Sequence, residues 1–379
     1  MKTVLEDRRG LWAFVLGVVA VTAGVLMHIP MFMMGKDMGF RLAGMPMGAD
    51  MVWGMALIIG GCGVAAYGLL PRNVAQQIAA SQEIVVSPPE DAPLTWAHWR
   101  LMGVLVIALV IDVMKPASLG FALPGMRNEY ALGQATVSLF PLAALIGTVV
   151  GSIAWGALAD VYGRKASILL SAVFFVGTAI CGAMPSFAWN VGMCFMMGAA
   201  AGGMLPVTYA LLAEMMPSKH RGWSLVLVGG LGSIGGYFAA SGVSALLEPI
   251  YSWRILWLMN LPTGLILVLL GGFIPESAKF LLARGRKEEA RRVMARFGAE
   301  ARATRQDEVR ELARSKAGGM IAQVLAVMAL VPALGLVSAT ILIPTLAALA
   351  LVAWYGKETR GRDLRDLDPD GHTFEGTGI

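Results

Sequence analysis

Long apolar runs, each ended by a short polar or proline-glycine connection, set the pattern of this chain. They fall at about 11–34, 51–70, 99–121, 135–158, 166–184, 189–214, 223–246 and 255–274. A further stretch, 317–355, divides near Pro332 to Gly335 into two shorter runs. A helix needs ~20 apolar residues to cross the hydrocarbon core of a bilayer. In lipid the backbone must satisfy its own hydrogen bonds, so runs of this length predict helices. The pattern therefore predicts an all-α polytopic membrane protein of about ten spans. The polar text divides it into a two-helix membrane unit (1–72), a linker (73–95) with Pro88, Pro89, Glu90 and Asp91, a six-helix bundle (96–274), a charged segment (275–316), a final helix pair (317–356) and a tail (357–379). Residues 287–314 are charged and helix-compatible, which predicts short amphipathic helices on the membrane surface. Lys2, Arg8 and Arg9 precede the first run, but no small-residue cleavage site closes it. It reads as a retained helix rather than a removed leader.

Composition agrees: 57% of residues are hydrophobic and only 15% charged, too apolar for an ordinary soluble protein. The net charge of +5 is a topology signal, not a sign of nucleic-acid binding. With both termini in the cytoplasm, only Lys36, Arg41, Arg127 and Arg254 fall outside and Lys115 falls within the membrane. All the other Lys and Arg residues lie inside. This asymmetry predicts a multi-pass protein of the cell's inner membrane. Trp253-Arg254 reads as an interfacial anchor. Cys62, Cys181 and Cys194 lie in or beside apolar runs and read as small buried hydrophobes. His28, His98, His220 and His372 are scattered, with no catalytic or zinc-ligand spacing, so the chain does not read as an enzyme.

The connection between the fourth and fifth runs carries Gly156, Asp160, Gly163, Arg164 and Lys165. Gly156 allows neighbouring helices to approach, and Gly163 suits a tight turn. Asp160 ends its helix where the dipole disfavours an anion, so Arg164 or a neighbouring helix N-terminus must stabilise it. This run resembles the G-x-x-x-D-x-x-G-R-K/R loop of the major facilitator superfamily. There the aspartate is held to latch the cytoplasmic faces of two halves; the plainer reading is a positive-inside anchor with a helix-ending glycine. Further segments resemble the same family. Glu214 and Pro217, followed by Arg221-Gly222, resemble the loop between helices four and five, which implies that Glu214 and Arg221 join a charge network with Arg164. Simple surface pairing is the alternative. Pro275-Glu276-Ser277, with Arg284 and Gly285-Arg286 after it, resembles the segment after helix six of sugar-porter-like members. Ala278, Lys279 and Phe280 depart from that pattern. Ser315 to Met320 resembles the eleventh helix, and Glu358, Arg360 and Gly361-Arg362 resemble the ending after the twelfth, with Lys357 in place of proline. The resemblance implies a facilitator-type six-helix bundle. To it are added two N-terminal helices outside the family pattern and two C-terminal helices, while the text of helices seven to ten is not found.

Candidate chemistry sits inside the third run. Asp112 and Lys115 are three apart on one helical face, where they can pair, and Pro116 follows. Charge at membrane depth marks a transport path more often than packing, although a static ion pair is the alternative. In the functional reading Asp112 takes a proton or cation and Lys115 holds an anionic solute, with Tyr209 a further candidate. A methionine-rich loop holds Met27, His28, Met31, Met34 and Met38. Soft thioethers suit Cu(I), but no spacing rule is met and a lipid-interfacial loop is the alternative. The function implied is secondary transport of a small polar solute, a sugar or organic acid, driven by a proton gradient without a cofactor. A second copy would supply the missing wall. The rival reading is a non-transporting membrane protein or scaffold of the same descent.

Overall fold

The computed structural model describes residues 8–70, 85–86, 93–298 and 303–304. The final helix pair, the tail, Glu358, Arg360 and most of the linker lie outside these residues. The described chain is almost wholly helical: α1 (Arg8–Leu26), α2 (Ile29–Met34), α3 (Ala49–Leu69), α4 (Trp96–Glu129), α5 (Gln134–Val137), α6 (Leu139–Tyr162), α7 (Arg164–Gly177), α8 (Phe187–Ala201), α9 (Met204–Met215), α10 (Ser218–Tyr251), α11 (Ile255–Leu258), α12 (Asn260–Leu270), α13 (Ala278–Ala283) and α14 (Lys287–Arg296). Two two-residue strands, β1 (Val85–Val86) and β2 (Ala303–Thr304), pair antiparallel. Among the described residues seven helical stretches are long and apolar enough to cross a membrane, and Ile255–Leu270 is a shorter apolar one.

Several runs that read as single helices are broken, each for a local reason. The first bends at Met27-His28, and α2 restarts with a proline in its first turn, where the missing N–H costs nothing. The run after Arg164 tightens at Thr178 into a 3-10 turn, Thr178–Ala183. The run after Phe187 breaks at Gly202-Gly203. By contrast α4 continues straight through Pro116 and Pro124 to Glu129, beyond the boundary that its hydropathy marks. The apolar side of α14, Ala290 and Met294, packs with Leu281 and Leu282 of α13.

The N-terminal unit is an antiparallel hairpin built on two glycine heptads. Gly10, Gly17 and Gly24 on α1 face Gly68, Gly61 and Gly54 on α3 in constant register. The backbones touch: a Cβ at Gly24 would lie 2.5 Å from the Gly54 carbonyl oxygen, and one at Gly17 would lie 2.6 Å from that of Gly61. Helices gain nothing from hydrophobicity when they associate in lipid, so close backbone packing of this kind supplies the attraction. The hairpin rests on α7, where Ile58 and Val21 fill the notch at Gly177. Covered on that side and by α9 and α12 on others, α7 is buried almost along its length. Gly61→Leu is expected to destabilise the folded protein by about 1–3 kcal/mol through overpacking. Gly60→Ala, at a position facing open space, should stay within about 0.5 kcal/mol. Unfolding of both variants in detergent checks the contrast.

Candidate functional site

Asp112 lies midway along α4 and Lys115 one turn further, 4% and 2% exposed. They share a face, yet no ion pair joins them among the described residues. Lys115 turns instead to the end of α7. Its Nζ donates to the Phe175 carbonyl at 3.4 Å and to the Thr178 hydroxyl, and it stands 3.7 Å from the Phe175 ring centroid. A helix C-terminus offers unsatisfied carbonyls and negative partial charge, and an aromatic face adds to the attraction of a cation. The break at Thr178 thus creates the seat that outcompetes Asp112. As a result the Asp112 Oδ1 is buried with no hydrogen-bond partner among the described residues. Such an atom is costly unless something binds it. Tyr209 lies on α9 with its hydroxyl against Gly229 of α10, and it bonds to neither Asp112 nor Lys115 among the described residues.

The turn between α6 and α7 gathers the second group. Gly163 has φ +104, in the region glycine favours, and its missing side chain leaves room for the Glu276 carboxylate. Glu276 Oε1 accepts backbone N–H groups from Arg164 at 2.9 Å, Lys165 at 3.4 Å and Ser277 at 3.0 Å. It therefore takes the N-terminus of α7, which carries the positive end of the helix dipole. Asp160 is met by Arg164 at 2.8 Å, and the same guanidinium reaches Glu214 at 3.0 Å. These two pairs differ in weight. The Asp160 side chain is 57% exposed and that of Glu214 only 18%, so water screens the first far more. Arg284 donates to the Val161 carbonyl at the end of α6 and lies over the Phe280 ring. Arg221 reaches the Met216 carbonyl at 3.5 Å. A Cβ added at Gly156 would meet nothing within 4 Å among the described residues, so this glycine serves no close approach there.

A third cluster, at the opposite end of α4, went unread in the sequence. Arg254 is not at a lipid interface but fully buried. It pairs with Glu129 through two nitrogens, at 2.7 and 3.3 Å, and donates to the Gly182 and Met184 carbonyls and the Tyr130 hydroxyl. Glu129 also accepts from the Trp253 indole at 2.9 Å and from the backbone N–H groups of Leu42 and Ala43 at 2.8 and 3.0 Å. A buried guanidinium survives only with this degree of satisfaction. The sequence signal available was a charged residue at each of two helix ends, with no spacing rule to connect them. In the methionine-rich loop, His28 is buried with Nδ1 on the Gly24 carbonyl at 2.8 Å, and Met31 is buried, whereas Met34 and Met38 are 65% and 50% exposed. No group of three His, Cys, Asp or Glu is placed to hold a metal among the described residues.

Burial pushes the Glu276 carboxyl above its ordinary value of 4.5, against the pull of three backbone N–H groups and Arg164. A raised carboxyl contributes its stability below the unfolded value and loses it as pH rises through the folded one. Glu276→Gln, which keeps an acceptor, should therefore match wild type at acidic pH and gain on it as pH rises. Glu276→Ala should cost on the order of 3 kcal/mol by orphaning the N–H groups. Melting curves across pH test both. At the other end, Glu129→Gln strands Arg254 and should cost about 3–5 kcal/mol, read by the same melts at neutral pH.

A family profile described as "Sugar (and other) transporter" matches residues 112–355, well over half of the chain. Among curated relatives, a niacin transporter of Acinetobacter baylyi is 30% identical over 210 residues, covering 54% of this chain and 47% of the relative. A 4-hydroxybenzoate transporter of Pseudomonas aeruginosa is 33% identical over 211 residues, covering 54% and 46%. The chain thus spans about half the length of the curated relatives it matches. Among solved structures, a partially occluded, inward-open form of the E. coli xylose transporter superposes with a TM-score of 0.47 at 18% identity, over 62% of this chain and 60% of that one. From the family profile, this chain belongs to the sugar (and other) transporters of the major facilitator superfamily, a group of membrane transporters rather than enzymes.

Proposed function

We propose that the described bundle is the solute-binding half of a secondary transporter for small organic acids, with Asp112 as the proton-accepting group. The observation that supports this is the buried, unpartnered Oδ1 of Asp112 beside a buried lysine, midway along a spanning helix. Intramembrane charge of this kind serves ion and solute pathways. Lys115 offers a carboxylate its counter-charge, and the Phe175 ring lies beside it. The niacin and 4-hydroxybenzoate named in the relatives are both aromatic carboxylates, which such a lysine and ring suit better than a neutral sugar. Arriving solute would compete with the Phe175 carbonyl and the Thr178 hydroxyl for Lys115, and a proton would neutralise Asp112. The inner-rim carboxylates and Arg164 would latch the bundle to its opposing wall. Alternating access needs such a second wall, and it is not among the described residues. Uptake of labelled nicotinate, benzoate and xylose into proteoliposomes under an imposed pH gradient tests the reading. Gradient-driven uptake of an aromatic acid is expected for wild type and lost in Asp112→Asn. Lys115→Gln should weaken it by roughly 30-fold or more, the loss of a desolvated charge partner. Uptake that survives unchanged in both variants, or none in wild type, refutes it.

A further inference from the structure

Neither the buried pair on α4 nor the carboxylates around Arg164 account for a ring of tryptophans and cations at the end of the bundle that carries the α6–α7 turn. There α4 opens with Trp96, 79% exposed, Trp99, and exposed Arg100. Beside it α10 opens with exposed Lys219 and Trp223. The Trp99 and Trp223 rings lie 5.8 Å apart, and the Trp223 indole donates to His220 Nδ1 at 3.1 Å. Helix α14 reaches the same rim. The Thr95 hydroxyl donates to the Arg296 carbonyl at 3.5 Å, and the Phe297 ring meets that of His98 edge-on at 4.8 Å. With its apolar side spent on α13, α14 exposes Arg292 and Arg296. None of Arg100, Lys219, Arg292 and Arg296 takes part in an ion pair among the described residues.

Spacing on two helices identifies what this rim faces. Seven residues past Arg100, α4 exposes Ile107; seven past Lys219, α10 exposes Val226, then Leu231, Ile234 and Phe238. Seven residues are about 10 Å of helix, enough to pass from the headgroup layer into hydrocarbon. Tryptophan concentrates at that boundary, and cations just outside it attract anionic lipid. We propose that Arg100, Lys219, Arg292 and Arg296, with Trp96, Trp99 and Trp223, form a seat for anionic phospholipid headgroups. The acyl chains of the bound lipid would run along the Ile107 and Val226 faces. The pairing of cations with an adjoining wholly apolar face is what selects a lipid. A free phosphate would use only the cations.

The test uses purified full-length protein in micelles containing equal phosphatidylglycerol and phosphatidylcholine, with retained lipid counted by native mass spectrometry. Wild type should retain phosphatidylglycerol preferentially, and the preference should shrink as salt rises from about 0.1 to about 1 M. Neutralisation in R100Q/K219Q/R292Q/R296Q should weaken that retention by roughly fivefold per cation removed, leaving phosphatidylcholine unchanged. R100Q/K219Q alone should show about half of the effect on a logarithmic scale, which covers failure of the fourfold variant to fold. Equal retention of the two lipids by wild type, a preference indifferent to salt, or one that survives neutralisation overturns the proposal.

Discussion

A single carboxylate, that of Glu276, holds together the end of this bundle that carries the α6–α7 turn. It binds the first backbone N–H groups of α7, a helix buried among its neighbours almost along its length. That seat exists because Gly163 has no side chain and adopts a backbone angle that other residues avoid. With the N-terminus of α7 taken, Asp160 is left to Arg164, which in turn gathers Glu214. Three segments distant in sequence thus meet at one turn. The other end of α7 is used as fully: where it tightens at Thr178, the Phe175 carbonyl and the Thr178 hydroxyl hold Lys115. One helix therefore sets both the geometry of the α6–α7 turn and the hydrogen-bond partners of Lys115.

Much of this architecture was legible in the sequence. Run lengths located the spans, because a bilayer imposes a minimum helix length and forbids unpaired backbone. The Gly163 turn was legible because positive φ has so few residue types to serve it. Partner choice was not. The three-residue spacing of Asp112 and Lys115 placed them on one face correctly, but spacing carries no information about competitors on a neighbouring helix. Arg254 failed for a related reason. A tryptophan and an arginine at a helix end look alike whether they meet lipid or a buried glutamate 125 positions away. The heptads at Gly10, Gly17 and Gly24 and at Gly54, Gly61 and Gly68 were present in the text. Read as two independent apolar runs, however, they gave no hint that their registers match.

The charges also sort by burial into different kinds of work. Arg254 and Glu129 are almost wholly desolvated and completely bonded, which suits a fixed joint. Asp112 is desolvated but under-bonded, which suits a group that exchanges partners. Asp160 and the cations of α14 stand in water, where pairing is weak and readily traded.

The contact between the N-terminal unit and the bundle has an evolutionary corollary. Glu129 grips Leu42 and Ala43 by their main-chain amides alone. Leu42 also buries its side chain in the core, whereas that of Ala43 is exposed, so only position 43 is free to drift without unfastening the joint. The tolerance is uneven: any residue with an N–H can stand at 43, position 42 must also fill an apolar site, and position 129 must keep its carboxylate.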